Sequence, residues 1–479
     1  MQQPGRLIPT FGLWTSISLV VGGIIGSGIF MKPAVMASQL GSPGLLISVW
    51  IIAGIITLFG ALTNAEVAAM IPETGGQFIF FRHMYGDFVA FLYGWAAFAV
   101  FNTAGVASIA YVLGTYIEFF ITLPRFDPDL ERNISLRIPF IGTIFPLENI
   151  GVKGATILVV ALLTWINYRS KESGGNIQII FTVLKVVAIA MILCGILFSG
   201  DGNVSNFFAD SSVITPRGWA LVGALVAALS GAFWGFDGWN NITFVAGEIK
   251  DPQKNIPKSL LWGLIICIVI YALVTLSYLY VLPIDVVANS KLVAADAAQV
   301  VLGGIGAGLI SLTVIVSTFG TTNGNILATA RVSFAMAQEN NFFRSIGKVH
   351  PRFNTPGNAL VLHGIYTSLL VLSGSFDMLT DMLIFVSWLF YGMSAAGVFI
   401  LRYKMRHVPR PYSVWGYPFV PLIFILFTVF FLLTTLITDI YRYDTGESPL
   451  INSIFGLFLT AIGIPLYWYF KWKYKSVVE

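Results

Sequence analysis

Long apolar runs decide most of what this chain can fold into. Windows of roughly 20 apolar residues recur about every 35–40 positions, and each is long enough to cross about 30 Å of hydrocarbon. In lipid every backbone N–H and C=O must find its partner within the protein, so such runs form helices. Of the 479 residues only 10% are charged and 56% are hydrophobic. A soluble domain carries about 25% charged residues, so too few remain here to cover a water-facing surface. The expected fold is an all-α polytopic membrane protein with no separate soluble domain. No small-residue cleavage site follows the first run, so that run is expected to be a retained span rather than a signal peptide.

About 12 spans are predicted, at roughly 13–38, 43–70, 87–120, 152–168, 177–199, 218–246, 259–282, 303–337, 357–374, 379–402, 417–439 and 450–471. Alternate loops then face opposite sides. One side gathers Arg82, Arg169, Lys171, Lys254, Lys258, Arg344, Lys348, Arg402 and Lys473; the other gathers mainly acidic residues, among them Asp127, Asp201, Asp285, Asp377, Asp381 and Asp444. Arg125, Arg132 and Arg137 break this pattern. The positive-inside rule makes the basic side cytoplasmic, with both termini there. The net charge of +4 reflects this sidedness and is no nucleic-acid signature. Cys194 and Cys267 lie in apolar runs and read as small core residues, and the four histidines show no metal-ligand spacing.

Two spans are weak at their centres. The first carries "GGIIGSGIF" at 22–30, with four glycines in nine residues. Each glycine weakens a helix by about 1 kcal/mol relative to alanine. The sixth carries "WGFDGWNN" at 234–241, with two glycines and Asp237. Interrupted hydrophobic segments at corresponding positions of two halves are the best sequence pointer to a transporter binding site. Breaking two helices side by side leaves N–H groups at one half-helix start and carbonyls at another half-helix end. The first set suits a carboxylate and the second an ammonium. A molecule carrying both in fixed relation is an α-amino acid. For either motif alone, small-residue packing between helices would serve as well.

These stretches carry a family likeness. "IIGSGIF" at 24–30, "IPETGGQFIFFRHMYG" at 71–86, "WGFDGWNNITFVAGEIKDPQKNIPKSL" at 234–260 and "STFGTTNGNILATAR" at 317–331 follow in order. The chain resembles the amino acid–polyamine–organocation superfamily, in its L-amino acid transporter branch with the bacterial serine/threonine and alanine–serine–cysteine exchangers. The resemblance implies a LeuT-like fold. Residues 13–199 and 218–402 would be inverted repeats of five spans, followed by two extra spans at 417–471. It implies that Gly26, Ser27, Gly28 and Ile29 hold the substrate carboxylate, and that carbonyls at Ile24, Trp234 and Asp237 hold the amino group. Trp234, Phe236 and Asn102 would form the gate and pocket. It further implies that Lys185 replaces a sodium ion and bridges spans 1 and 8; a snorkelling lysine is the other reading. Animal members of the branch join a glycoprotein through a cysteine between spans 3 and 4. Residues 121–151 contain none, so no disulfide-linked heavy subunit is expected, and the chain reads as a bacterial cell-membrane protein.

Other residues stay open. Asp237 either marks a preference for cationic substrates or, as favoured here, caps the broken helix. Thr318 and Asn323 either hydrogen-bond between helices or line a polar cavity beside Lys185. Glu66 lies near the cytoplasmic end of span 2, where it and the "PETGG" that follows read as a turn, and Glu248 and Arg331 read as an ion pair at the cytoplasmic mouth. The span centres offer Asp237 as one clear carboxylate and Lys185 as one lysine, too little for an intramembrane enzyme. No repeated filter suggests a channel. The expected function is sodium-independent exchange of small neutral L-amino acids without a cofactor. Proton-coupled symport and transport of cationic amino acids are the alternatives.

Overall fold

The computed structural model describes residues 11–73, 75–169, 187, 189–190, 193–208, 212 and 215–475. Its helices are α1 (Leu13–Ile24), α2 (Gly28–Leu40), α3 (Pro43–Met70), α4 (Gln77–Tyr85), α5 (Asp87–Ile117), α6 (Ile150–Arg169), α7 (Trp219–Phe236), α8 (Pro252–Val281), α9 (Val293–Gln338), α10 (Gly357–Ser373), α11 (Phe376–Lys404), α12 (Phe419–Asp444), α13 (Asn452–Ala461) and α14 (Gly463–Lys475). Among the described residues nine helices are long and apolar enough to cross a membrane. The α1–α2 pair, bent by 44°, passes together as a tenth, and α10 is a shorter apolar helix. The span expected at 177–199 falls mostly outside the described residues, of which 193–198 are helical.

Local chemistry sets where these helices begin and bend. Ser42 caps α3 ahead of Pro43, which lacks an N–H and so suits the first turn. A π-helical turn, Ala97–Phe101, interrupts α5. Gly303 (φ +63°) kinks α9 just where the apolar pattern begins.

Buried polar pairs tie the bundle together. Asn167 of α6 donates to Asn323 of α9 at 2.8 Å. Ser394 of α11 donates to Asn64 of α3 at 2.8 Å, and Asn64 donates onward to Asn240 at 2.5 Å. Such bonds typically stabilise a membrane bundle by about 0.6 kcal/mol each, and they fix register as well.

Glu66, near the end of the span expected at 43–70, lies inside α3 and is 3% exposed. Its carboxylate accepts from Arg402 at 2.8 and 2.7 Å and from the Val414 N–H at 2.8 Å, which draws the segment after α11 under the end of α3. A buried carboxylate is stable there because three donors reach it.

Both ends of the bundle carry short backbone clasps. Phe11 exchanges hydrogen bonds of 2.9 Å with Glu248 and Lys250, pinning the entry to α1 against the exit from the sixth span. Glu248 and Arg331, expected to pair, form no ion pair among the described residues; the Glu248 carbonyl holds Phe11 instead. At the opposite face a hairpin pairs Leu136–Ile138 with Gly142–Ile144. Its Thr143 N–H reaches the Pro449 carbonyl at 2.8 Å, and the Ile451 N–H reaches the Ile141 carbonyl at 2.9 Å. The loop before α13 is thereby stitched to the loop before α6.

Candidate functional site

The first span loses its helix at residues 25–27, between α1 and α2. The sixth loses it at Asp237 and Gly238, after which Trp239–Glu248 continues as a 3₁₀ helix. The two breaks cross each other through glycines. A Cβ added at Gly28 would lie 2.6 Å from the Gly235 Cα, and one at Gly238 would lie 2.6 Å from the Gly23 carbonyl oxygen. Gly238 also has φ +95°, a conformation that L side chains rarely adopt. Glycine is therefore required at the crossing for both reasons sought in the sequence, close approach and unusual backbone.

Two kinds of backbone end meet at the crossing. Gly28 and Ile29 open α2, where the first N–H groups of a helix lack intrahelical acceptors. Ser27 gives them no side-chain cap, and its hydroxyl, though buried, has no hydrogen-bond partner. Trp234 stands beside them: its Cδ1 lies 3.5 Å from where a Gly28 Cβ would be. The indole is 7% exposed, packs edge-on against Phe376 at 6.2 Å, and leaves its Nε1 unpartnered. Unsatisfied polar groups that are this buried are uncommon in proteins, and a ligand is one way to satisfy them.

The carbonyl side is organised by a residue that gave no signal in the sequence. The Tyr271 hydroxyl of α8 lies 2.9 Å from the Ile24 carbonyl and 2.7 Å from that of Gly235, so its one proton serves both breaks. Phe236 is fully buried against Tyr271 (5.1 Å) and Trp50 (6.0 Å), in an aromatic cluster that backs Tyr271. The Trp234 carbonyl accepts from the Asp237 N–H at 3.2 Å. Asp237 itself accepts from the Tyr391 hydroxyl at 2.9 Å, and the Gly238 backbone also bonds its carboxylate. Asp237 is thus bonded to the backbone just ahead of the 3₁₀ segment.

The remaining expected residues are spread more widely. Asn102, partly buried, directly follows the π-helical turn of α5. Asn323 is committed to Asn167, and the Thr318 hydroxyl returns to the Val314 carbonyl of its own helix at 2.7 Å. Lys185 lies outside the described residues.

The count of charges at depth needs correction. Lys32, one turn beyond Gly28, is 2% exposed. Its ammonium contacts Asp377 at 2.7 Å and Thr380 at 2.8 Å, and sits 4.7 Å above the Phe376 ring. Asp377 and Asp381, read from sequence as loop residues, belong to α11. Their spacing of four, on the apolar run that opens α11, was the available signal.

Comparison with known proteins agrees with this geometry. The sequence matches the family described as "Amino acid permease" over residues 11–459. It is similar to the serine/threonine exchanger SteT of Bacillus subtilis (strain 168), at 32% identity over 97% of each chain. Similarity to the large neutral amino acids transporter small subunit 2 of Mus musculus is 30%, over 97% of this chain and 81% of that one. The b(0,+)-type amino acid transporter 1 of Homo sapiens is 29% identical over 89% of this chain and 82% of its own. Crossed helix breaks and end-to-end sequence agreement converge, and the chain belongs to the amino acid permease family.

Proposed function

We propose that this permease exchanges small neutral L-amino acids across a bacterial cell membrane, without sodium, by alternating access. The observation that carries the reading is the glycine crossing of two broken helices. It places the first N–H groups of α2, which have no intrahelical acceptors, with the unpartnered Ser27 hydroxyl and Trp234 indole N–H, beside carbonyls of the other polarity. A carboxylate accepts from the first set and an ammonium donates to the second. In this reading Gly26, Ser27, Gly28 and Ile29 hold the carboxylate, Ile24, Trp234 and Asp237 face the ammonium side, and Trp234 closes over the ligand.

Residues 13–199 and 218–402 act as two repeats that rock about the crossing, with residues 417–471 as an addition. Both termini are cytoplasmic, as the sidedness of the basic loops supports. Lys185 takes the place of a sodium ion by resemblance, and the absence of cysteine from residues 121–151 supports work without a disulfide-linked partner. The activities named for the relatives, exchange of serine and threonine and transport of large neutral amino acids, support the substrate class.

The test is uptake of labelled alanine into proteoliposomes in sodium-free buffer at symmetric pH. Uptake into vesicles preloaded with alanine, and none into empty ones, is the expected result. Uptake only under an imposed pH gradient would replace exchange by proton symport. The absence of any flux would remove the reading.

A further inference from the structure

Two stretches remote in sequence meet where the last helix ends. The loop that follows α9 lays Phe343 edge-on against Phe470 of α14, with ring centroids 5.0 Å apart. One residue on, the Arg344 guanidinium sits 4.5 Å from the centre of the Tyr474 ring, and the Arg344 backbone N–H donates to the Tyr474 hydroxyl at 3.4 Å. The Lys473 ammonium reaches the same ring at 5.9 Å and donates to the Tyr469 hydroxyl at 3.0 Å. Two cations therefore converge on one tyrosine. A ring face attracts each of them, but it carries no charge to cancel theirs.

The neighbouring chain supplies no anion. Residues 340–352 and 462–475 contain neither Asp nor Glu. Glu339, just before them, is held by Arg82. Arg344 spends its Nε–H on the Asn340 side chain at 3.0 Å. Arg344, Lys348 and Lys471, all exposed, form no ion pair among the described residues. Beside these charges the corner is apolar and open: Phe343, Trp468 and Trp472 are 42%, 59% and 77% exposed. Exposed tryptophan at a span end marks the boundary between hydrocarbon and headgroups, which places the two cations at the depth of lipid phosphates.

We propose that the corner between the loop after α9 and the end of α14 binds one acidic phospholipid, with its phosphate between Arg344 and Lys473 and an acyl chain along Phe343 and Trp468. On the orientation proposed above, this is a lipid of the cytoplasmic leaflet. Basic side chains beside a span attract anionic headgroups, and a guanidinium meets phosphate with two parallel N–H donors. The bound lipid braces the end of α9 against the last helix. Lys254 and Lys258 of α8, exposed as well, provide the control, equal charge at another place.

The experiment measures thermal stabilisation of the detergent-solubilised full chain by dioctanoyl phosphatidylglycerol, with dioctanoyl phosphatidylcholine and soluble glycerol phosphate as the other additions. It compares the unmodified protein with three double variants: Arg344→Gln with Lys473→Gln, Arg344→Lys with Lys473→Arg, and Lys254→Gln with Lys258→Gln. The expected result is that phosphatidylglycerol stabilises the unmodified protein at concentrations where the other two additions give no shift. Its half-effective concentration rises about tenfold or more in the first variant and stays within about twofold in the other two. Lys473→Gln alone, at an exposed position, raises it about fivefold and keeps the test open if the first double variant does not fold. Equal loss in the first and third double variants would leave only attraction by net charge and overturn the proposal. Stabilisation by phosphatidylcholine or glycerol phosphate at the same concentration, or an unchanged response in Lys473→Gln, would overturn it too. None of these readouts involves transport, so the alanine exchange reading stands or falls separately.

Discussion

Tyr271 shows how much one hydroxyl can organise. Its ring is fully buried beside Trp50 and Phe236, and its oxygen serves carbonyls of both broken helices. Tyr271→Phe keeps the ring and frees two buried acceptors, a loss of about 1–3 kcal/mol. It is expected to lower thermal stability and to weaken alanine binding by about tenfold, read as the concentration dependence of exchange. Gly28→Ala tests the crossing directly. Its Cβ would fall 2.6 Å from the Gly235 Cα, so helices must part. Overpacking costs about 1–3 kcal/mol, and exchange is expected to fall below detection in protein that still elutes as a monodisperse peak. Asp237→Asn should behave otherwise. Asparagine still accepts from Tyr391, so exchange persists with the half-saturating alanine concentration unchanged. At this scale the sequence showed the glycines well, because a run of them at a span centre weakens the very helix that must cross the bilayer. It hid Tyr271, since a tyrosine in an apolar run looks like any core aromatic. It hid Lys32 because its partners Asp377 and Thr380 lie some 345 positions further along the chain.

Among the elements, α11 has the widest set of duties. Its first turn supplies Asp377, its second Asp381, its middle Tyr391 for Asp237 and Ser394 for the Asn64–Asn240 pair, and its end Arg402 for Glu66. It touches both halves of the sixth span and the second half of the first. The long helices among the described residues were legible from apolar length, and the break in the first span from Gly-Ser-Gly. The duties of α11 were not, because each joins a polar residue to one distant in sequence. Glu66→Gln removes the charge that holds Arg402 and the 405–418 segment. The expected effect is a lower melting temperature, about 1–3 kcal/mol of stability, with the half-saturating alanine concentration unchanged. A shift in that concentration would instead tie the clamp to the substrate site.

For the whole molecule, the fold class followed from charge content and span length, and family membership from four ordered motifs. The span count was harder to reach: the fifth predicted span lies mostly outside the described residues, and α10 is short. The last helices added little to the sequence argument, yet the structure gives their connecting loop a place. Thr143 and Ile141 of the hairpin hold Pro449 and Ile451, and a cavity beside Asp381 includes residues from both loops. The hairpin leaves the ribosome long before its stitching partner does. During synthesis the charged cavity therefore waits, lacking one wall, until the final pair of helices inserts. A nascent chain halted before α12 would already hold the glycine crossing and would still expose Asp381 through an unfinished roof.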